Sequence, residues 1–133
     1  MAVMAETLRR PTAPALPGAG ITCASARRLA RTVLAEADVS PGCVADVLTV
    51  VSELVANAYC HAGGLTGFSI SIRLGAVVVE VSDPSPQLPQ ERPWAPDQPG
   101  GFGWVISNRL TDSITIDVAH DGKTITALFG ART

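Results

Sequence analysis

Charge is scarce in this chain. Asp, Glu, Lys and Arg make up 17% of its 133 residues, and the formal net charge is −2. No basic cluster stands out beyond Arg27, Arg28 and Arg31, whose helical spacing suits a solvated face, so nucleic acid is not expected as a partner. Cysteine is equally sparse. Cys23, Cys43 and Cys60 are odd in number and lack a CxxC spacing, which argues against a disulfide framework and against a zinc site. All three read as reduced thiols, with Cys60 the one expected to be packed. No apolar run is expected to approach the roughly 18 residues that cross a bilayer. Arg9 and Arg10 are followed at once by Pro11 and not by an apolar signal stretch. The expectation is a cytoplasmic protein with no membrane partner.

What the chain has in quantity is apolar residues, 47% of the total, which excludes a wholly disordered polymer and fits one globular domain. Residues 1–20 are rich in Ala and Pro without a sustained period and read as a flexible tail; residues 21–133 read as the folded domain. From Ala24, Ala26, Leu29, Ala30, Val33, Leu34 and Ala37 recur at helical spacing, with Thr22 or Ser25 as candidate caps. Ser40-Pro41 reads as an N-cap followed by first-turn proline, opening a second helix that runs to about Ala62, where Gly63-Gly64 ends it.

Phe68, Ile70, Ile72 and Leu74 then alternate with polar residues, and a tight turn at Gly75-Ala76 leads to a second strand, Val77 to Ser82, closed by Asp83. Six prolines between Pro84 and Pro99 exclude a regular element, so residues 84–100 read as a long exposed loop. Gly100-Gly101-Phe102-Gly103 opens a short helix, Trp104 to Leu110. Two strands follow, Ser113 to Ala119 and Thr124 to Phe129, with Asp121-Gly122 as the turn. Helix, helix, strand, strand, loop, helix, strand, strand predicts an α+β two-layer sandwich, a mostly antiparallel four-stranded sheet with its helices on one face. There is no strand-helix-strand alternation, and Gly101-x-Gly103 follows a loop, so a dinucleotide-binding fold is excluded.

The second helix carries the chemistry. Glu53, Asn57 and His61 are spaced by four, so at about 100° per residue they stack along one edge of the helix. Val44, Val47, Leu48, Val51, Leu54, Val55 and Ala58 form its apolar side. Such a seam can be a plain solvated face. It can also place a proton acceptor beside a neutral oxygen ligand for a hard cation, a pairing suited to Mg-nucleotide chemistry. Glycines beside a helix N-terminus let backbone N–H groups approach phosphate. Asp83 at a strand end adds a carboxylate acceptor.

The block Glu53-Leu-Val-Ala-Asn57-Ala-Tyr-Cys-His61-Ala, Asp83 after an apolar strand, Gly100-Gly101-Phe102-Gly103, and Gly122 before the final strand resemble the N, G1 and G2 boxes of the gyrase and histidine-kinase ATPase superfamily. The likeness runs from Ala24 to Phe129 and is strongest to a small single-domain branch, the anti-sigma-factor serine kinases of bacterial partner switching. It implies a Bergerat-type fold with ATP between the second helix and a glycine-hinged lid. By that resemblance Asn57 holds Mg²⁺, Glu53 orients or deprotonates the attacking serine hydroxyl of a partner, and Asp83 accepts from the adenine amino group. Gly101 and Gly103 close on the phosphates, His61 lies near them, and Thr124 or Thr126 replaces an adenine-binding threonine at the position where this chain has Lys123.

It further implies an anti-sigma antagonist protein or a sigma factor as partner, and a homodimer as a common assembly. The G1 glycines are absent, since Pro84, Ser85, Pro86 and Gln87 follow Asp83. Two other readings of the same residues remain: a non-catalytic interaction module of this fold that sequesters a regulator, and a small sandwich unrelated to nucleotides.

Overall fold

The computed structural model describes residues 21–89 and 101–130. The expected tail and the second half of the expected proline loop lie outside the described residues. The elements are α1 (Cys23–Glu36), α2 (Pro41–His61), β1 (Gly67–Arg73), β2 (Ala76–Asp83), α3 (Gly101–Leu110), β3 (Ser113–Ala119) and β4 (Gly122–Phe129).

Local chemistry sets the helix boundaries. Thr22 caps α1 through a reciprocal pair: its hydroxyl accepts from the Ser25 N–H at 3.0 Å, and the Ser25 hydroxyl accepts from the Thr22 N–H at 2.8 Å. Ser40 caps α2, accepting from the Cys43 N–H at 3.3 Å, with Pro41 in the first turn, where its missing N–H costs nothing. At the other end the chain leaves the helix through Gly63, which adopts a φ of 83°.

The four strands form one sheet in the order β1-β2-β4-β3, and every neighbouring pair is antiparallel. β4 is inserted between β2 and β3, so the chain must cross over through α3 before the sheet can be completed. One face carries Phe68, Ile70, Val77, Val79, Val81, Ile125, Ala127 and Phe129, all buried. Against it pack Val47, Val50, Val51, Leu54, Val55 and Ala58 of α2, with Ala26, Ala30, Val33 and Leu34 of α1. A fully buried Val, Leu, Ile or Phe contributes about 1.5–3 kcal/mol, so this layer dominates the stability of the fold. The α+β sandwich expected from the element order is the one observed.

Four local expectations are corrected. Cys60 is exposed; the buried thiol is Cys43, because Cys60 lies round the helix from the core face that Cys43 shares with Val47. Leu74 does not continue the apolar row of β1. Arg73 pairs with Ala76, leaving Leu74-Gly75 as a two-residue loop in which both residues take positive φ, 52° and 83°. Leu74 is consequently 80% exposed. The second hairpin likewise turns at His120-Asp121, since Gly122 already pairs with Ala119. Finally, α2 has the length and composition to cross a bilayer, with a mean hydropathy of 1.4 over its best window, where the sequence reading expects no such stretch. Asp46, Glu53 and Asn57 interrupt it along one margin and Ser52 along the other, toward α1, while its apolar side covers the sheet.

A left-handed backbone conformation costs a branched residue roughly 1–2 kcal/mol, which Asn or Gly largely avoids. Leu74→Asn is therefore expected to stabilise the domain by about 0.5–1 kcal/mol. Urea unfolding of the variant beside the parent checks this, and an equal or lower midpoint contradicts it.

Candidate functional site

The seam of α2 runs along the margin of its core face. Glu53 and Asn57 are half-buried, and among the described residues neither side chain takes a hydrogen-bond partner. No polar atom of either is sealed without one. Their oxygens and nitrogen are thus open to whatever enters beside the helix. His61 belongs to the same row, but the helix ends there and its side chain is exposed.

α3 covers the Glu53 end of this row. Its first turn begins at Gly101, and Gly103 sits so close to α2 that an added Cβ would overlap Glu53 Oε2. First-turn N–H groups of a helix have no intrahelical acceptor and carry the positive end of its dipole. A carboxylate, a carboxamide and a helix N-terminus therefore share one margin, an arrangement able to hold a hard cation together with a polyanion. Glycine at position 103 is what allows the approach.

The other end of the seam meets β2. Gly63 lies against the Pro84 side chain, where an added Cβ would stand 3.9 Å from Cγ, so the end of α2 adjoins the residue after Asp83. Between Glu53 and Gly63 the helix rises roughly 15 Å. Asp83 itself continues the helix-facing row of Val77, Val79 and Val81, and is buried. Directly across the β2–β4 ladder stands Lys123, equally helix-facing and buried.

The two form an ion pair, Lys123 Nζ to Asp83 Oδ1 at 3.0 Å, with side chains only 3% and 2% exposed. Nζ also donates to the Ser85 carbonyl at 3.0 Å, and Oδ1 accepts in addition from the Ser85 N–H at 2.9 Å. The carboxylate that the resemblance assigns to a base is thus engaged within the chain. Sequence reasoning registers Lys123 as a substitution and misses it as a partner, because nothing local tells that β2 pairs with β4.

Thr124 is not part of this arrangement. Successive residues of a strand face opposite ways, and Thr124 points to the helix-free side, where its hydroxyl lies 2.8 Å from that of Ser82. Thr126 faces the same way, pairing in register with Glu80. By this register neither threonine shares the helix-facing side of Asp83. A cleft of about 500 Å³ opens at this end of the sheet, lined by Thr66, Ser82, Asp83, Lys123, Thr124 and Asp121 among others, and includes neither Glu53 nor Asn57. Gly101 and Gly103 sit inside the first turn of α3, which begins three residues earlier than the Trp104 start expected from the sequence.

Two substitutions separate a rigid contact from a yielding one. A Cβ on Gly122 would overlap the Asp83 carbonyl oxygen and lie 3.2 Å from Pro84 Cα, so backbone must move; Gly122→Ala is expected to cost about 2–3 kcal/mol. Gly103→Ala meets only the end of a flexible side chain and is expected to cost less than about 1 kcal/mol while displacing the Glu53 carboxylate. For the ion pair, Asp83→Ala and Lys123→Ala should each cost about 3–5 kcal/mol, and the double variant far less than their sum. Denaturant midpoints of the single and double variants check all three.

A profile of the histidine kinase-like ATPase domain matches residues 17–129. No match to a curated protein was found. Among solved structures, the RsbU and RsbW domains of Rv1364c from Mycobacterium tuberculosis superpose with a TM-score of 0.61 at 22% identity, over 91% of this chain and 32% of that one. The chain thus spans about a third of the length of that protein, and the likeness at this identity is one of fold. With the profile covering all seven elements, the chain belongs to the histidine kinase-like ATPase domain family.

Proposed function

We propose that this chain binds ATP with Mg²⁺ along the Glu53–Asn57 margin of α2 and passes the γ-phosphoryl group to a serine of an antagonist protein, as an anti-sigma-type kinase of the cytoplasm. The observation that carries the reading is the meeting of Glu53, Asn57 and the glycine-opened start of α3 at one margin, with both side chains unpartnered among the described residues. Family membership supports the nucleotide. The RsbW name attached to the solved relative, and the resemblance of the Glu53 to Ala62 block, support the kinase.

Bound ATP supplies the phosphoryl group and its metal. The Asn57 carboxamide oxygen would be the neutral ligand for the cation, and the first-turn N–H groups of α3 would donate to the phosphates. Glu53 would orient the acceptor serine hydroxyl and take its proton as the new O–P bond forms and the bond from the γ-phosphorus to the β–γ bridging oxygen breaks, with ADP as the leaving group. Phosphoryl transfer depends mainly on such positioning and charge neutralisation, so a few polar groups suffice.

A second reading keeps the fold and removes the chemistry: an interaction module that sequesters a regulator. The occupied Asp83 carboxylate favours it, since a base finds that acceptor already engaged.

Calorimetry and thermal shift with ATP, ADP and GTP, each with and without Mg²⁺, test the nucleotide. The expectation is Mg-dependent stabilisation by adenine nucleotides, about 2.7 kcal/mol at a hundredfold excess over Kd, lost in Asn57→Ala. Absence of binding at millimolar nucleotide overturns the reading. Transfer of label from γ-labelled ATP to a serine-bearing antagonist separates kinase from module. Glu53→Gln is expected to lower that transfer about a hundredfold or more while leaving nucleotide bound.

A further inference from the structure

We propose that Lys123 acts as an internal competitor for a base at the Asp83 end of the α2 seam: in the free chain its ammonium holds the carboxylate that a nucleobase amino group would use, and it must withdraw before a base can be held. This rests on the nucleotide reading above and adds what limits affinity and base selectivity at that site.

The two ends of the α2 seam are in opposite states. At one end, Glu53 and Asn57 have no partner among the described residues. At the other, Asp83 Oδ1 accepts from both Lys123 Nζ and the Ser85 N–H. A carboxylate has about four acceptor directions, yet with the Asp83 side chain 2% exposed none of them faces open solvent. Lys123 lies in the helix-facing row of Ile125 and Ala127, so its aliphatic stem occupies the same surface of the sheet from which Asp83 projects.

The ammonium does more than neutralise. Its second bond, to the Ser85 carbonyl, holds the first residues after β2 down onto β4. Withdrawing Lys123 therefore releases the acceptor and the segment beside it in one event. Polyphosphate meets an open end and the base meets a closed one. A nucleotide that engages both must separate a buried pair, which lowers its affinity and removes the base's contribution to selectivity.

The test is fluorescence titration of parent and Lys123→Thr with Mg-ADP, Mg-GDP and Mg-tripolyphosphate. Lys123→Thr is expected to bind Mg-ADP at least tenfold more tightly, with affinity for Mg-GDP and Mg-tripolyphosphate unchanged. A merely structural role for Lys123 would not produce a gain confined to adenine. Should the lone buried carboxylate unfold the single variant, Asp83→Asn with Lys123→Thr leaves no charge buried alone, retains a carbonyl acceptor, and is expected to bind Mg-ADP more tightly than the parent with Mg-tripolyphosphate unchanged. Parent binding that these variants leave unchanged or weaken overturns the competitor. So does a gain that Mg-tripolyphosphate shares. Absence of Mg-ADP binding by parent and variants alike overturns the nucleotide reading itself, and the proposal with it.

Discussion

The packing of one helix on two strands governs everything else in this domain. α2 lays Val47, Val50, Val51, Leu54, Val55 and Ala58 on the face formed by Val77, Val79, Val81, Ile125, Ala127 and Phe129. A helix buried on one side cannot rotate without exposing that side, so the azimuth of every other residue is fixed by the valines. Glu53 and Asn57 fall at the margin because they lie just beyond Val50 round the helix. They are held there by burial that is not their own.

The same layer explains why the two ends of the seam differ. α3 meets α2 through a glycine, and a glycine leaves the neighbouring carboxylate its freedom. β2 meets β4 through a ladder in which each step places two side chains face to face. Val81 opposite Ile125 continues the core, and one step further the pair becomes Asp83 opposite Lys123. Past the cover of the helices such residues would be solvated. Here they remain buried, and each charge needs the other.

Much of the architecture is legible in the sequence because its signals are local. Ser40-Pro41 marks the start of α2, Thr22 and Ser25 the start of α1, and period-two alternation the strands. The Glu53 and Asn57 seam follows from helical spacing alone. Leu74 misleads because alternation continues past the end of β1, and only the register shows that the turn takes that residue. Asp83 is legible as an acid at a strand end, but its partner is not. The contact joins residues forty apart across strands that are not consecutive, and Lys123 carries no sign of what it faces. Thr124 follows Lys123 by one residue, which on a strand is the other face of the sheet.

A buried ion pair is weak evidence of net stability, since two well-packed apolar residues do as well or better. Its effect on the alternatives is larger. If β4 slid two residues along β2, Lys123 would stand opposite Val81 or pass beyond Asp83, and an unpaired charge would sit against the valine core. A slide of one residue would turn Lys123 to the side of Ser82 and leave Asp83 buried without its partner. Every misregister therefore costs desolvation that the native register offsets. That same contact sets what a ligand must overcome. An entering base has to compensate the ammonium as well as satisfy the carboxylate, because separating the pair leaves two charges in need of partners. The pair thus specifies how the sheet assembles and, through the same contact, raises the threshold for anything that would occupy the Asp83 end of the α2 seam.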